Sequence, residues 1–304
     1  MQGGERYNSI GNYLKDYFGE KTIKLSIDAG FTCPNRDGTL GTGGCSFCSA
    51  GGSGELASKY QDGDIEKTID KEIAKYQEKW PKAKYLAYFQ AYTNTYAPAV
   101  ELRKKYYEAL NDPRISGIVI ATRPDCLPDY VLDLLSEINE KHFMWVELGL
   151  QTIHEKTSKE MNIGYDIQTY DEAVEKLLER GIKVVTHLIL GLPGESKEQM
   201  LESLHYICQK PIFGIKLHLF NLIKTSAIYN KMPDYVPFDS IEEYVDLVVK
   251  CLELIPKEIT IHRLTGDVPR KFLVSPEWSY KKRTILNSIN YELMIRNTHQ
   301  GAKI

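Results

Sequence analysis

The sequence predicts an α/β fold, namely an incomplete (β/α)6-type, TIM-like barrel followed by a short C-terminal extension. Short runs rich in β-branched and aromatic residues alternate with amphipathic stretches, which is typical of a parallel sheet with helical crossovers. The chain has 304 residues, of which 42% are hydrophobic and 26% charged, as in ordinary globular proteins. About six βα units can be counted, fewer than the eight that close a full barrel.

Seven short runs, each five to seven residues long, are the candidate strands. They are residues 21–27, 85–91, 117–121, 144–149, 184–190, 215–220 and 259–264. The predicted helices are residues 64–80, 97–110, 128–141, 169–180, 197–209 and 240–254. Pro128 lies early in one helix, Gly181 directly follows another, and Ser240 with Glu243 has the pattern of a capping box.

Two prolines indicate where the chain is divided. Pro233 and Pro237 flank residues 234–236, and no linker or low-complexity segment occurs elsewhere. We therefore predict a barrel core over residues 1–235 and a C-terminal extension over residues 236–304.

Cys33, Cys45 and Cys48 lie in one glycine-rich loop, directly after the first predicted strand. Three thiolates on one loop can hold three irons of a [4Fe–4S] cluster, whereas an electron-transfer cluster normally uses four. The fourth iron is then free to bind and reduce a small molecule, which indicates an enzyme. The glycines of the loop supply the positive φ values that wrapping a cluster requires.

The same cysteines are also compatible with a structural zinc site or with buried thiols that bind no metal. Zinc usually takes four ligands arranged in two pairs, whereas here one Cys-x-x-Cys pair is joined by a single cysteine. Cys126, Cys208 and Cys251 stand alone in apolar or helical surroundings, and we expect them to be core thiols.

In a parallel barrel the chemistry takes place at the carboxyl ends of the strands, so the segments after the other strands should line the same site. A polar and aromatic run with Gln90 and Asn94 follows the second strand, and Arg123 follows the third. The fifth strand ends in the turn Gly191-Leu-Pro-Gly194, whose backbone is free to approach a flat ligand ring.

The fourth strand carries polar residues on one face. Glu147, Gly149 and Gln151 share that face because side chains alternate along a strand. A carboxylate buried there without a partner is strongly unfavourable. We therefore expect Glu147 to pair with a cation or to accept hydrogen bonds from a ligand, and a buried pair with an internal lysine or arginine is the alternative. His187 in the fifth strand is expected to be a core histidine.

The charge is unevenly distributed. The net charge is −3, so nothing global indicates nucleic-acid binding, yet residues 257–304 contain nine basic side chains against four acidic ones. Such a segment can bind phosphates locally, or it can be a solvated face.

The sequence also bears on the compartment. No apolar run approaches the roughly 20 residues that span a bilayer, and residues 1–21 lack the pattern of a signal peptide. Six cysteines are too sparse for a disulfide scaffold, and oxidation would destroy the cysteine set. We expect no membrane association and a cytoplasmic location.

Taken together, these residues resemble the radical S-adenosylmethionine superfamily. Within it, the chain resembles the YtqA/YhcC-type branch, which is similar to the catalytic subunit of the elongator complex. The segments that carry the resemblance are the cysteine loop and residues 88–98, 122–127, 146–152, 191–194 and 262–267. The cysteine spacing of eleven and two is longer than the superfamily's common three and two, and Gln90 to Asn94 replace the usual Gly-Gly-Glu.

The resemblance implies two cofactors and an electron source. Cys33, Cys45 and Cys48 would ligate a [4Fe–4S] cluster, and S-adenosyl-L-methionine would bind the open iron. Reduction by one electron, from a donor such as flavodoxin or ferredoxin, would give methionine and a 5′-deoxyadenosyl radical.

The resemblance also implies which residues contact S-adenosylmethionine. Glu147 and Gln151 would hold its ribose or methionine part, and the turn from Gly191 to Gly194 would lie beside adenine. Gln90 and Asn94 stand where contacts to the methionine amine are expected.

The related branch is associated with the wobble uridine of tRNA, which suggests a substrate. The specific hypothesis is radical removal of the carboxymethyl group from 5-carboxymethylaminomethyluridine, leaving 5-aminomethyluridine. Arg123 or Arg263 would then clamp the substrate carboxylate, with Asp267 also at the rim.

The basic C-terminal segment would contact the tRNA. Lys281, Lys282 and Arg283 would bind phosphates, and Trp278 or Tyr280 would stack on an unpaired base. The alternatives are radical chemistry on a small metabolite or peptide, and a non-catalytic iron–sulfur or zinc protein that binds RNA.

Overall fold

The computed structural model describes residues 6–52, 54–59 and 64–304. The first five residues of the predicted core, together with residues 53 and 60–63, lie outside the described residues. The strands are β1 (Thr22–Asp28), β2 (Ser58–Lys59), β3 (Lys84–Phe89), β4 (Ile115–Thr122), β5 (Phe143–Gln151), β6 (Val184–Leu190), β7 (Gly214–Leu219), β8 (Leu222–Ile223), β9 (Thr260–Arg263) and β10 (Leu273–Ser275).

The helices alternate with the strands along most of the chain. They are α1 (Ile10–Phe18), α2 (Ile65–Ala74), α3 (Ala99–Leu110), α4 (Asp129–Lys141), α5 (Glu155–Glu160), α6 (Ile167–Glu179), α7 (Lys197–Cys208), α8 (Ala227–Lys231), α9 (Ile241–Leu254) and α10 (Lys282–Ile295). None of the helices in the described ranges is long and apolar enough to cross a membrane.

The main sheet is parallel throughout, in the order β2-β1-β3-β4-β5-β6-β7-β9, and it curls into a half-barrel with helices outside. The predicted incomplete, TIM-like α/β barrel is thereby confirmed. All seven predicted strands are present in this sheet. β8 and β10 form a separate antiparallel pair.

Several details differ from the sequence-based expectation. The predicted helix 64–80 ends as α2 at Ala74, and residues 75–79 form turns. The capping-box pattern at Ser240 is only half realised: its hydroxyl accepts from the Glu243 amide, but the Glu243 carboxylate accepts from the amide of Asp239 instead. The complete capping box is formed by Ser196 and Gln199 at the start of α7.

The predicted division at residue 235 stays a prediction. From residue 236 onward the chain contributes α9 and α10, which pack together, and also β9, which completes the main sheet.

Helix α1, which the sequence analysis missed, closes the amino end of the barrel interior. Leu14 of α1 packs in a buried cluster with inward-facing residues of four strands, including Leu86, Val119, Trp145 and Val185. Because side chains alternate along a strand, the next inward-facing residues lie two positions nearer the carboxyl ends, and they include polar ones such as Glu147. The interior is therefore apolar at the amino end and polar toward the carboxyl end.

Strand β9 lies at the edge of the sheet and is covered by the chain termini. The amide of Ile261 donates to the carbonyl of Asn8 at 2.7 Å. The buried Gln300 side chain accepts from the Asn8 amide at 2.8 Å and donates to the carbonyls of Pro256 at 2.7 Å and Ile259 at 2.8 Å. The Asn8 carbonyl thus pairs with the exposed edge of β9, and the Gln300 side chain ties both terminal segments to the residues just before that strand.

We predict that Gln300→Leu lowers the free energy of unfolding by about 3 kcal/mol, because the Asn8 amide and the Ile259 carbonyl lose their bond to Gln300 and the Pro256 carbonyl keeps only its bond from the Ile259 amide. Urea unfolding followed by circular dichroism measures the change. Asn290→Leu, on the exposed face of α10, is the matched control and should cost less than about 0.5 kcal/mol. Equal stability of the two variants would contradict this role of Gln300.

Candidate active site

A cavity of about 250 Å³ lies at the carboxyl ends of the strands, on the side of the half-barrel opposite α1. Cys33, Cys45 and Cys48 all line it, so the structure brings the three predicted cysteines to one site. This is the edge at which parallel barrels carry their chemistry. The other three cysteines lie elsewhere: Cys251 is in the core, Cys208 packs against it, and Cys126 is buried behind the rim.

The cysteine loop is held in place by residues far away in sequence, in the segment that follows α5. The amide of Ser46 donates to the carbonyl of Met161 at 2.7 Å, and the Asn162 side chain donates to the carbonyl of Gly44 at 2.8 Å. Asn35 donates in return to the carbonyl of Asn162 at 2.7 Å. The loop is therefore fixed at several points and does not rely on its own turns alone.

Gly44 is required by the conformation of the loop. Its φ is +72°, in the left-handed region, and a Cβ there would lie 2.7 Å from the Arg36 side chain. The Arg36 guanidinium donates to the carbonyl of Ser49 at 2.6 Å and so closes the loop from the other side.

Cys45 lies in a polar and partly cationic environment. The Asn35 amide nitrogen is 3.7 Å and an Arg123 guanidinium nitrogen 4.0 Å from its sulfur. The hydrogen bond with Cys48 and burial together raise the pKa of the Cys45 thiol well above its usual value. A thiol with such a pKa is protonated at neutral pH, and binding a metal would release that proton.

Three separate thiols facing one cavity fit an iron–sulfur cluster, because each cysteine of such a cluster binds a different iron. Within the described ranges, no three His, Cys, Asp or Glu side chains are grouped to hold one metal ion. A buried acceptor is also available beside them, since the Thr93 hydroxyl lines the cavity without a hydrogen-bond partner. The donor set is thus suited to a cluster with a polar ligand next to it.

Arg123 is fixed by its own neighbourhood. Its guanidinium forms two hydrogen bonds with Asp125, at 2.9 and 2.7 Å, and donates to the carbonyl of Ile163 at 2.9 Å. It also stacks over the Tyr165 ring at 4.8 Å. The guanidinium nitrogens with which Arg123 could bind a carboxylate bidentately are therefore already bonded to Asp125.

Glu147 is completely buried at the floor of the cavity. Its oxygens accept hydrogen bonds from Tyr88 at 2.7 Å, Trp145 at 3.1 Å, His187 at 3.0 Å and, closest of all, Lys216. The expected pairing with a cation is therefore present, and the internal lysine of the alternative interpretation is Lys216.

The charge state of the Glu147 carboxylate follows from its partners. Lys24 adds a second cation, 3.6 Å from Glu147. Burial alone would raise the pKa of Glu147, but the charges of Lys216 and Lys24 outweigh burial and hold that pKa well below its usual value. Burial, together with the nearby Lys216 charge, lowers the pKa of His187 to about 4, so its ring is neutral at pH 7.

The remaining predicted cofactor contacts lie at different distances from the cavity. Gln90 and Gln151 line it. Asn94 is fully buried and donates to the carbonyl of Ala121 at 2.8 Å. Asn94, Gly191 and Gly194 are not among the described residues that line this cavity.

The glycine turn after β6 instead meets the segment that precedes α9. Gly191 has φ +88°, and a Cβ there would lie 2.7 Å from both Pro237 and Phe238. Its carbonyl accepts from the Tyr235 hydroxyl at 3.0 Å. The glycine at this position is needed for packing between the barrel and α9.

The mouth of the cavity carries the late basic residues. Arg263 and Asp267 line the cavity and form a 3.6 Å ion pair, and Lys282 donates to the same Asp267 at 2.9 Å. Lys281, Lys282 and Arg283 are all exposed, at the start of α10.

Of the two predicted stacking aromatics, only Tyr280 is exposed. The Arg270 guanidinium lies over its ring at 4.4 Å. Trp278 packs against the core, with Tyr244 at 5.9 Å, so the expectation that Trp278 meets a base is not supported by its position.

Sequence reasoning missed three inward-facing residues of the site, namely Lys24, Lys216 and His218. Lys216 and His218 line the cavity, and Lys24 reaches Glu147 from β1. All three alternate with apolar residues in buried strands, which is the same pattern that identified Glu147.

Comparison with known proteins gives consistent results. The Radical SAM superfamily profile matches residues 35–207, and the Radical_SAM C-terminal domain profile matches residues 212–294. YtqA of Bacillus subtilis (strain 168) is 45% identical over 298 residues, which cover 98% of this chain and 92% of that protein. Protein YhcC of Escherichia coli (strain K12) is 38% identical over 288 residues, covering 93% of this chain and 91% of that protein.

Among solved structures, archaeal Elp3 of Methanocaldococcus infernus, with an N-terminal deletion, superposes with a TM-score of 0.69 at 17% identity. The match covers 92% of this chain and 64% of the Elp3 chain, so this chain spans less than two thirds of that structure. At this identity the likeness establishes the fold. With the two profile matches and these relatives, the chain belongs to the radical SAM superfamily, in the group of YtqA and YhcC, and its cofactors are a [4Fe–4S] cluster and S-adenosyl-L-methionine.

Proposed function

We propose that this radical S-adenosylmethionine enzyme modifies the wobble uridine of tRNA, converting 5-carboxymethylaminomethyluridine into 5-aminomethyluridine. The observation that carries the proposal is a cavity lined by three cysteines whose mouth is bordered by exposed basic residues of α10. The Elp3 fold likeness is compatible with a tRNA substrate.

Cys33, Cys45 and Cys48 are the proposed ligands of the cluster. When bound, the cluster and S-adenosylmethionine would supply a 5′-deoxyadenosyl radical able to take a hydrogen atom from the substrate methylene next to the carboxylate. Loss of one further electron, to the oxidised cluster, would leave an imine that water hydrolyses to the amine, so the carboxymethyl group would leave as glyoxylate. The protein contributes the loop that holds the thiols, the buried walls that exclude water, and the electrostatic environment of Cys45. A one-electron donor such as flavodoxin or ferredoxin, in a reducing cytoplasm, completes the proposal.

Gln90 and Gln151 are the proposed side-chain contacts to S-adenosylmethionine, because both line the cavity and offer amide donors and acceptors. Roles for Asn94, Gly191 and Gly194 stay predictions. The role of Glu147 toward ribose or methionine also stays a prediction, and protein donors already occupy both of its oxygens.

Arg263 and Asp267 are proposed to meet the substrate side chain. Between the two arginines considered as a carboxylate clamp, Arg263 is favoured, because Asp125 already occupies the donor face of Arg123. Lys281, Lys282 and Arg283 are proposed to bind tRNA phosphates close to the mouth.

We predict that Cys45→Ala abolishes both the release of 5′-deoxyadenosine and the formation of 5-aminomethyluridine. The assay uses anaerobically reconstituted enzyme, a strong reductant and tRNA carrying 5-carboxymethylaminomethyluridine, with both products measured by mass spectrometry. Cys208→Ala, which changes a cysteine of α7 outside the cavity, should keep both activities within about twofold.

Two outcomes would count against the proposal at different levels. Wild-type enzyme that releases 5′-deoxyadenosine but leaves this tRNA unchanged would favour a small metabolite or peptide as substrate. Wild-type enzyme that binds four irons and releases no 5′-deoxyadenosine would overturn the assignment of the cysteine loop as a catalytic centre.

We predict that Arg123→Met lowers the reduction potential of the cluster by roughly 50–100 mV, because a positive charge near Cys45 stabilises the reduced form. A redox titration followed by electron paramagnetic resonance measures the shift. Arg103→Met, which removes an arginine paired with Glu137 on the outer helices, is the control and should leave the potential unchanged. An unchanged potential in Arg123→Met would show that its charge does not reach the cluster.

We predict that replacing Lys281, Lys282 and Arg283 by alanine weakens tRNA binding about tenfold or more and reduces the salt dependence by about 2–3 in log–log slope. Fluorescence anisotropy over a range of salt concentrations measures both. The control replaces three exposed lysines at the opposite end of the barrel, Lys79, Lys82 and Lys141. Equal effects of the two triple variants would show only a general charge effect.

A further inference from the structure

Charged side chains form two groups in the cavity, one at its floor and one at its mouth, and in each group two cations meet one carboxylate. Lys24 and Lys216 both contact Glu147, and Arg263 and Lys282 both contact Asp267. Four cations therefore share two carboxylates. Two of the cations, Lys216 and Arg263, also line the cavity.

The pair Lys216 and Glu147 at the floor is shielded from water, whereas the charges at the mouth are partly exposed. Lys216 is 2% exposed and Glu147 is completely buried, whereas Arg263 is about a quarter exposed at 23% of its side chain. Burying an excess of positive charge is unfavourable unless an anion compensates for it. Glu147 can neutralise only one of the two lysines that meet it, and burial lowers the pKa of both lysines, so an added anion would also stabilise their charged forms.

The geometry of the strands brings the cations together. Lys216 on β7 is the register partner of Arg263 on β9, and also of His187 on β6. Register partners on neighbouring strands have side chains on the same face of the sheet. His218, two positions beyond Lys216, shares this face and has a buried ring nitrogen, Nε2, without a hydrogen-bond partner.

We propose that Lys216, Arg263 and His218 form a subsite that binds the carboxylate of the substrate. The subsite rests on the function proposed above, in which the wobble side chain ends in a carboxymethyl group. The subsite would determine substrate specificity, because a uridine side chain that lacks the carboxylate leaves Lys216 and Arg263 without a compensating anion.

The depth of the subsite favours a side-chain carboxylate over a backbone phosphate. Lys216 lies three residues before the end of β7, which corresponds to about 10 Å below the rim at a rise of ~3.3 Å per residue. A base turned out of its stack can extend a side chain to that depth, whereas the phosphates stay with the basic residues at the mouth.

Glu147 acts as a positioning residue in this arrangement. Its Oε2 anchors the Lys216 ammonium group and also accepts from Tyr88 and His187, and its Oε1 accepts from Trp145, so both oxygens are already bound to protein donors. Lys216 is thereby held at the cavity wall instead of folding back on the strand.

The test measures binding to the reconstituted enzyme without reductant, so that no turnover occurs. Three anticodon stem-loop RNAs differ only at the wobble base: 5-carboxymethylaminomethyluridine, its methyl ester, and 5-aminomethyluridine. Wild-type enzyme should bind the carboxylate RNA about tenfold more tightly than the ester. In Lys216→Met this preference should fall below about threefold, with the affinity for 5-aminomethyluridine RNA unchanged.

Two further variants make the result specific. Lys224→Met, an exposed lysine after β8, should keep the full preference. If Lys216→Met does not fold, the double variant Lys216→Met/Glu147→Gln removes both members of the buried pair together, and it should also lose the preference. Retention of the tenfold preference in a folded Lys216 variant would overturn the subsite.

Other measurements separate the subsite from the cofactor and from the proposed function. A tenfold loss of S-adenosylmethionine affinity in Lys216→Met would assign the cations to the cofactor carboxylate and overturn the proposal. N-methylglycine, which reproduces the end of the wobble side chain, should raise the melting temperature of wild-type enzyme but not of Lys216→Met, and its methyl ester should raise neither.

The two proposals can therefore fail separately. Stabilisation by N-methylglycine that depends on Lys216, with no conversion of tRNA, would keep the carboxylate subsite and reject tRNA as substrate. Conversion of tRNA by an enzyme whose carboxylate preference does not depend on Lys216 would keep the function and reject the subsite.

Discussion

One buried carboxylate organises the interior of this half-barrel. Glu147 has no access to water, so its charge must be matched by protein groups, and those groups come from five different strands. Lys24, Tyr88, His187 and Lys216 reach it from β1, β3, β6 and β7, and Trp145 reaches it from its own strand. Neighbouring strands can meet these demands only in one register, because a shift by one residue would point every partner outward. The polar layer therefore specifies the register of the sheet as well as the floor of the cavity.

The cysteine loop depends on a second, independent set of contacts. Its backbone is tied to the segment after α5, through Ser46, Met161 and Asn162, and its edge is closed by Arg36. That segment also supplies the Ile163 carbonyl to Arg123, whose guanidinium places a positive charge beside the Cys45 sulfur. The position of the cysteines is thus determined by residues more than one hundred positions away in the sequence.

Much of this could be read from the sequence, for physical reasons. The seven strands were recognisable because buried parallel strands are short, apolar and separated by helices, and the cysteines because three thiols on one glycine-rich loop have few other uses. Glu147 was recognisable as a charge that needs a partner, but the partner itself was not, because a contact between β5 and β7 depends on how the sheet curls. The use of Gly191 in packing on Phe238, and the capture of Arg123 by Asp125, likewise depend on tertiary contacts that local patterns do not report. Helix α1 was missed because it precedes the first strand and belongs to no βα unit.

The position of α1 has a consequence for the order of events during turnover. Leu14 and the apolar layer around Trp145 seal the amino end of the barrel, so molecules reach the cavity through the mouth beside α10. A macromolecule seated on the basic start of α10 would cover that route. Small molecules beneath it would then be trapped until it leaves, so the cofactor would load first, and its fragments would exchange only after the large substrate has dissociated.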